Sequence, residues 1–311
     1  MKTVLIHNPA AGSAEHSKKE LLAALKMAGF SAAYYSIKKD KPNEVFRKKP
    51  DLVFVAGGDG TIAKVIARLK DRSVPVGILP TGTANNIARS MGVNGTIIAL
   101  VESFRAESTR RLDIGWVEGP WGRRNFVEAV GIGPLGHSFD KAGSDLIGAA
   151  NLTNGRLIFQ KLIRKGKLLE LEVTVDGAKL PGDILAIEVM NTPYTGAALP
   201  LAPMADPGDG KFDIIWLPAN RRNNMISWLE APNRAWPPFE TCQGRRVIIE
   251  GVLAHQRVDD QVFKPLKDRQ TVIIDLEHEA ARVLVPVSVK ESTANGHPGI
   301  EKHKKQKRRK R

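Results

Sequence analysis

The hydrophobic pattern in the first third of the chain alternates between short apolar runs and segments with helical spacing. The runs "TVLIHN", "LVFVA" and "VPVGIL" are rich in β-branched residues and predict buried parallel strands. Between them, "KKELLAALKMAG" and "TIAKVIARLK" place apolar residues three or four positions apart, which predicts helices that bury one face. The pattern therefore predicts an α/β domain over residues 1–114, with a doubly wound and mostly parallel sheet.

The pattern changes after residue 114. Segments such as "LELEVTVDG", "KFDIIWLP", "RRVIIEGV" and "TVIIDL" alternate in hydrophobicity at short intervals, and few helical segments interrupt them. Residues 115–290 are therefore predicted to form a predominantly antiparallel β-sandwich. A cleft between an α/β domain and a β domain is the expected place for a ligand site.

Trp228 and Trp236, in "ISWLEAPNRAWPPF", are two aromatic residues of this second region. Indole side chains serve either as core residues or as anchors at a membrane interface. We expect both to be core residues, with membrane anchoring as the alternative.

Charge is concentrated at the carboxyl end of the sequence. The net charge is +14, and the last eleven residues, "EKHKKQKRRKR", contribute +7 because eight Lys or Arg stand against one Glu. Residues 291–311 are therefore predicted to be a basic, disordered tail. Such a tail binds acidic lipid headgroups or nucleic acid, or acts only as a solubilising end, and composition leaves these options open.

Cysteine usage and hydropathy indicate the compartment. Cys242 is the single cysteine, which excludes a disulfide framework and a cysteine-based zinc site and fits a reducing cytosol. The sequence contains no apolar run of about 18 residues, and its first residues lack the pattern of a signal peptide. We therefore expect a cytoplasmic protein.

Polar, glycine-rich turns follow the predicted strands of the α/β domain. They are "HNPAAGS", "GGDGT" and "PTGTANN". Glycine lets the backbone approach a ligand closely, and the amides at the start of a helix attract anions. Because the carboxyl ends of parallel strands meet at one edge of the sheet, the turns together predict a phosphate-rich ligand. The candidate residues are Asn8, Gly12, Gly57, Gly58, Asp59, Gly60, Thr61, Gly82, Thr83 and Asn85.

Asp59 is the acidic residue of the "GGDGT" turn. A carboxylate beside a phosphate is repulsive unless a cation lies between them, so Asp59 predicts Mg²⁺ carried by a nucleotide. The alternative interpretation of "GGDGT" is a glycine turn with a helix-capping aspartate.

The chain resembles the diacylglycerol kinase catalytic family, which includes sphingosine kinases and soluble bacterial lipid kinases. The resemblance extends to about residue 285 and is carried by "NPAAG", "GGDGT", "PTGTANNIAR", "LDIG", "LPLAPMADPGDGKFDI" and "VDDQ", in that order. It implies phosphorylation of a lipid hydroxyl by ATP with Mg²⁺, with nucleotide on the first domain and lipid entering between the domains. It also suggests that the final strand returns to the first domain.

The resemblance implies roles for three further aspartates. Asp59 and Asp113 match acidic positions of a magnesium and water network, and Asp209 belongs either to that network or to a turn. In "VDDQ", Asp259 matches the aspartate that accepts the proton of the lipid hydroxyl, so Asp259 is the predicted catalytic base. A solvated hairpin turn is the alternative interpretation of this segment.

Two amides stand where relatives carry acids. Asn86 stands where relatives often have Asp, and Gln261 stands where they have Glu. Neither side chain can therefore carry a negative charge. If the Glu of relatives assists the base or holds an ion, we expect this protein to be slower or to use Asp260 instead.

We therefore expect a lipid kinase that uses ATP and Mg²⁺, with diacylglycerol as the default acceptor. It would act as a peripheral protein at a membrane surface, where the basic tail contacts anionic headgroups. The alternative is a catalytically weak nucleotide-binding protein with a regulatory or membrane-tethering role. Phosphorylation of a nicotinamide dinucleotide is the nearest enzymatic rival, because that family shares "GGDGT". No specific nucleic-acid partner is expected, and a homodimer is left open.

Overall fold

The computed structural model describes residues 1–12, 16–40, 42–142, 149–232 and 234–287, so the predicted tail lies outside the described residues. The helices are α1 (Lys18–Met27), α2 (Pro42–Phe46), α3 (Asp59–Arg68), α4 (Asn86–Ser90), α5 (Ile97–Ser103), α6 (Pro134–Ala142), α7 (Ala149–Lys165) and α8 (Arg222–Trp228). The strands are β1 (Thr3–His7), β2 (Ala32–Ser36), β3 (Leu52–Gly57), β4 (Pro75–Pro80), β5 (Thr109–Leu112), β6 (Gly115–Gly119), β7 (Gly122–Phe126), β8 (Ala129–Ile132), β9 (Leu171–Val175), β10 (Ala178–Lys179), β11 (Ile184–Met190), β12 (Phe212–Pro218), β13 (Glu240–Gly244), β14 (Val247–Val252), β15 (Gln256–Val258), β16 (Gln261–Phe263), β17 (Arg269–Leu276) and β18 (Ala281–Leu284).

The first sheet, with helices α1 to α5, forms the α/β domain. Its strand order is β2-β1-β3-β4-β18-β5. Strands β1 to β4 are parallel, as their uninterrupted apolar runs predicted. Strand β18 pairs in parallel with β4, through Arg282 with Pro75 and Val283 with Val76. The chain therefore comes back to the first sheet after it has formed the rest of the molecule.

The remaining strands form the β domain, which contains two six-stranded sheets. Their orders are β10-β9-β14-β17-β6-β7 and β13-β12-β11-β8-β15-β16, and their pairings are antiparallel. Phe126 and Phe212 stack inside this domain with ring centroids 5.4 Å apart, and both are fully buried. This architecture confirms the predicted fold class. Within the described residues, no helix is long and apolar enough to span a bilayer.

The tryptophan prediction is half right. Trp228 is buried at 6% exposure, and its indole Nε1 donates to the Ala235 carbonyl over 2.9 Å. Trp236 is 67% exposed, so the prediction that it is a core residue is wrong. Pro237 and Pro238 follow Trp236 directly and hold it on an irregular segment.

The two domains meet where the turns of the first sheet face the β15–β16 hairpin. The hairpin turn consists of Asp259 and Asp260, because Val258 pairs directly with Gln261. Asp260 lies against Gly60, at the start of α3. The fold thus brings a pair of acidic residues from the β domain to the glycine turns of the α/β domain.

Candidate active site

The glycine-rich turns after β1, β3 and β4 line one cavity of about 580 Å³. Gly57, the last residue of β3, and Asn85, which precedes α4, do not line this cavity. Lys38 and Lys64 also line the cavity, and α3 points its positive end at it. The cavity therefore suits an anionic ligand. The predicted residues that line it are Asn8, Gly12, Gly58, Asp59, Gly60, Thr61, Gly82 and Thr83.

Backbone packing explains why glycine is needed in these turns. Gly12 has φ +59°, and a Cβ at this position would overlap the carbonyl oxygen of Thr81. A Cβ at Gly82 would overlap the Cα of Gly58, so the second and third turns are in backbone contact. The cavity wall is therefore made of main chain.

Side-chain amides hold the turns in place. Asn8 Nδ2 donates to Thr61 Oγ1 over 3.0 Å, which joins the first turn to α3. Asn85, with φ +49°, accepts from the Gly82 amide and donates to the Gly82 carbonyl, both over 2.9 Å. Asn85 therefore shapes the third turn without lining the cavity itself.

Asp59 is the carboxylate at the start of α3. Its Oδ1 accepts from the Ile87 amide over 2.8 Å, so it caps α4, the next helix, while Gly58 is the N-cap of α3. Burial raises the pKa of Asp59 to about 7, and the nearby charge of Glu128 adds to the rise. Asp59 thus caps a helix and also has a strongly shifted pKa. Shifted pKa values of this kind are typical of functional sites.

A second cavity, of about 350 Å³, opens between the domains beside the first one. Asn86, the first residue of α4, is at its wall and donates through Nδ2 to Glu128 Oε2 over 3.2 Å. The same amide donates to the Gly196 carbonyl over 3.1 Å. These bonds connect the α/β domain to the β domain at the cleft. The cavity is lined by Asp59, Gly60, Ala63, Thr83, Ala84, Asn86, Ile87, Glu128, Gly196, Asp259 and Asp260.

The predicted base, Asp259, lines this second cavity and is buried at 8% exposure. It has φ +50°, and its carboxylate accepts from the amides of Val127, Glu128 and Ala129 over 3.0, 2.8 and 3.2 Å. Burial and, to a smaller extent, the charge of Glu128 raise the pKa of Asp259 to about 7, although the amide bonds act in the opposite direction. The carboxylate is therefore held rigidly at the cavity wall.

The neighbouring Asp260 is exposed and lines both cavities. A Cβ added to Gly60 would overlap its carboxylate. Of the two hairpin acids, Asp259 faces the β domain's own backbone and Asp260 faces the glycine turn.

Asp113 and Asp209 lie elsewhere, since neither lines the two cavities. Asp113 Oδ2 accepts from the Gly210 amide over 2.7 Å, and its own amide donates to the Pro207 carbonyl over 2.6 Å. Asp209 is exposed and accepts from the Lys211 amide over 2.9 Å, as a turn residue does. The structure thus does not bring these two predicted metal residues to Asp59.

An internal ion-pair network went unnoticed in the sequence. Arg257 is fully buried and donates to Glu188 over 2.8 Å and to Glu128 over 3.4 Å. Arg257 also donates to the Asp259 carbonyl over 3.0 Å and to Thr195 Oγ1 over 2.6 Å, and Thr195 in turn donates to Glu128. The signal was a lone charged residue in each of the strand-like segments "NFVEAV", "LAIEVM" and "HQRV".

Magnesium was predicted at this site. Within the described residues, no three acidic, His or Cys side chains form a metal site by themselves. Mg²⁺ in nucleotide sites takes one or two carboxylates and completes its shell with phosphates and water. Asp59 supplies a carboxylate, and the buried Asn86 Oδ1 has no hydrogen-bond partner among the described residues. The oxygen donors present therefore fit a nucleotide-borne Mg²⁺.

A larger cavity, of about 680 Å³, lies between α2 and the end of α3. None of the predicted site residues lines it, and it is separate from the glycine turns.

Two solved structures have folds similar to that of this chain. A diacylglycerol kinase structure from Bacillus anthracis has a TM-score of 0.65 at 18% identity and covers 91% of this chain and 96% of its own. The structure of an NAD kinase from Archaeoglobus fulgidus in complex with ATP has a TM-score of 0.50 at 14% identity, covering 92% and 94%.

Sequence comparison also finds diacylglycerol kinases among the relatives of this chain. Residues 2–117 match the model of the diacylglycerol kinase catalytic domain. The chain is 27% identical to a diacylglycerol kinase of Bacillus subtilis over 246 residues, which covers 74% of this chain and 77% of that one. A diacylglycerol kinase of Mycobacterium tuberculosis is 25% identical over 185 residues, covering 58% and 59%. The sequence is therefore similar to diacylglycerol kinases over about three quarters of the chain, and the match to the catalytic-domain model lies in residues 2–117.

Proposed function

We propose that the protein is a lipid kinase that transfers the γ-phosphoryl group of ATP to a lipid hydroxyl, with Mg²⁺ as cofactor. The observation that carries this proposal is the meeting of the glycine turns with the Asp259–Asp260 hairpin across two adjoining cavities. One cavity suits phosphates, and the other contains carboxylates at the point where an acceptor hydroxyl would enter. Diacylglycerol is the default acceptor because relatives of this chain carry that name.

The proposed nucleotide site holds phosphates through main-chain amides of the turns, the positive end of α3 and the Lys64 ammonium. Asp59 and Asn86 Oδ1 would hold Mg²⁺, which when bound neutralises phosphate charge. Phosphoryl transfer depends mainly on such positioning and charge neutralisation. Asn8 and Asn85 keep the turns in the shape that this requires.

Asp259 is the proposed base. Its carboxylate lies at the wall of the second cavity, and the bonds from the Val127, Glu128 and Ala129 amides fix its direction. A base whose pKa lies near the working pH is suited to accept a proton and release it again. Asp260 is the proposed neighbour of the nucleotide phosphates, because it lies against Gly60.

The second candidate is a nucleotide-binding protein with negligible turnover and a regulatory or tethering role. The observation that favours it is the set of amide bonds on Asp259, which occupies lone pairs that a base would use. Gln261, which follows the hairpin turn, cannot titrate in its place.

One experiment separates the two candidates. Radiolabelled γ-phosphate transfer from ATP with Mg²⁺ is measured for a panel of mixed-micelle lipids, with the wild type and Asp259→Asn. A labelled lipid that is lost in the variant supports the kinase and identifies its acceptor. ATP binding without any labelled lipid supports the second candidate.

We also propose that the protein works at a membrane surface, where its substrate resides. Trp236 and Met204 expose large apolar side chains on the β domain, at 67% and 74% exposure, and the basic tail suits anionic headgroups. Deleting residues 298–311 should weaken binding to anionic vesicles and leave turnover on detergent-dispersed lipid unchanged. Loss of both vesicle binding and turnover on dispersed lipid would contradict a role of the tail in membrane binding alone.

A further inference from the structure

Asn86 and Glu128 form a buried pair across the cleft. Asn86 belongs to α4 of the α/β domain, and Glu128 lies between β7 and β8 of the β domain. Asn86 Nδ2 donates to Glu128 Oε2 over 3.2 Å, and the two residues are only 2% and 5% exposed. Both residues line the cavity between the domains.

The pair lies in an excess of negative charge. Arg257 supplies the guanidinium of the ion-pair network. It pairs with the Glu188 carboxylate over 2.8 Å and with the Glu128 carboxylate over 3.4 Å, so two carboxylates share this one cation. The charge of Glu128 also acts on Asp59 and on Asp259, on either side of the cavity. Buried charge that exceeds its counter-charge is costly, and a bound cation relieves that cost.

The other atom of the Asn86 amide supplies an independent observation. Asn86 Oδ1 is fully buried and accepts no hydrogen bond from the described residues, while Nδ2 of the same side chain is occupied by Glu128 and Gly196. An unpaired carbonyl oxygen beside a carboxylate is a suitable donor for a hard divalent cation.

We propose that Glu128 faces the divalent cation of the nucleotide, that Asn86 orients Glu128, and that together with Asp59 they set the affinity for that cation. This inference rests on the proposed function, because the cation arrives with the nucleotide. The β domain would thereby contribute one carboxylate to a metal site otherwise formed by the α/β domain. Closure of the cleft and metal binding would then depend on one another.

Isosteric exchanges test this proposal by changing the number of carboxylates in the pair. Asn86→Asp raises it to two, Glu128→Gln lowers it to zero, and the double exchange restores one, with Gln at 128 donating to Asp at 86. Affinity for Mn²⁺, measured by electron paramagnetic resonance with ATP present, should follow the carboxylate number. We expect about a tenfold step per carboxylate, with the double variant within about threefold of wild type.

Mg²⁺-dependent ATP binding, measured by calorimetry, provides the second readout. The enhancement of ATP affinity by Mg²⁺ should rank in the same order: Asn86→Asp, then wild type and the double variant together, then Glu128→Gln. If Glu128→Gln does not fold, the comparison of Asn86→Asp with wild type still tests the order. Asn86→Asp retains the Glu128 carboxylate and therefore its contact with Arg257.

Glu188→Gln is the matched control. It also removes a carboxylate that pairs with Arg257, but Glu188 does not line the cavity. We expect it to lower the melting temperature and leave Mn²⁺ affinity unchanged. The proposal is overturned if metal affinity is the same in all variants, or if the double variant is as weak as Glu128→Gln. Metal and ATP binding in this order without lipid phosphorylation would refute the proposed kinase and leave this inference standing.

Discussion

The Asp260 carboxylate packs against the Cα of Gly60, so the acidic hairpin of the β domain touches the glycine turn of the α/β domain. This contact requires a residue without a side chain at position 60. It also sets how closely the two cavities of the cleft adjoin each other, since Gly60 and Asp260 line both.

Gly60→Ala should reduce kinase activity while the protein stays folded. The new Cβ would overlap the end of the flexible Asp260 side chain, which can move away, and alanine favours a helix over glycine by about 1 kcal/mol. We expect activity to fall at least about tenfold, because a displacement of about 1 Å is costly in catalysis, with the melting temperature near the wild-type value. Gly182→Ala is the control, since nothing lies within 4 Å of its Cβ. Wild-type turnover in Gly60→Ala would show that the contact is dispensable.

Gly82→Ala should have a different effect, because here the obstacle is main chain. Its Cβ would overlap the Cα of Gly58, and neither turn can yield without moving its amides. We expect ATP affinity to fall more than about tenfold together with the melting temperature, since overpacking costs about 1–3 kcal/mol. Calorimetric titration with ATP checks this, and an unchanged dissociation constant would contradict a main-chain phosphate site.

The glycine turns could be predicted because their signal is local. Each turn directly follows a β-branched run, and the carboxyl ends of parallel strands share one edge. Strand order and register were not needed to bring Gly12, Gly58 and Gly82 together. The same argument explains why the α/β class and the antiparallel second region were predicted correctly.

The contacts of the charged and amide side chains around the cleft could not be predicted in this way. Asn86 and Glu128 are 42 positions apart and meet only because the domains dock. The resemblance implied a metal-network role for Asp113 and left Asp209 open between that network and a turn, but the Gly210 amide donates to the Asp113 carboxylate. Arg257, buried in a short strand, resembles an exposed hairpin residue in sequence. Pairings of this kind depend on tertiary contacts that composition and periodicity do not contain.

Asp259→Asn should change how stability depends on pH. The pKa of Asp259 rises from 3.8 to about 7 on folding, so between these values the folded state holds a proton that the unfolded state has released. The contribution of Asp259 is therefore fully present below pH 3.8 and is lost as pH rises through about 7. Glu128 and Arg257 are the charged groups that face it.

Urea unfolding of wild type and Asp259→Asn from pH 4.5 to 8 measures this effect. The free energy of unfolding of wild type, relative to the variant, should fall by up to about 1.4 kcal/mol per pH unit and level off above about pH 7. A difference that stays constant with pH would show that Asp259 is ionised throughout, and a difference that grows with pH would reverse the assigned direction.

Arg257→Met should be severely destabilising, because it leaves Glu128 and Glu188 buried without their cation. Breaking a buried ion pair on one side costs about 3–5 kcal/mol, which is a large part of the stability of a typical domain. The control is Arg110→Gln, which removes an exposed ion pair with Asp206 at 2.9 Å and should cost no more than about 1 kcal/mol. Urea unfolding of both variants at one pH measures the two costs. Equal losses would mean that the buried guanidinium stabilises no more than a surface charge does, and that the acids around the cleft are neutral when the protein folds.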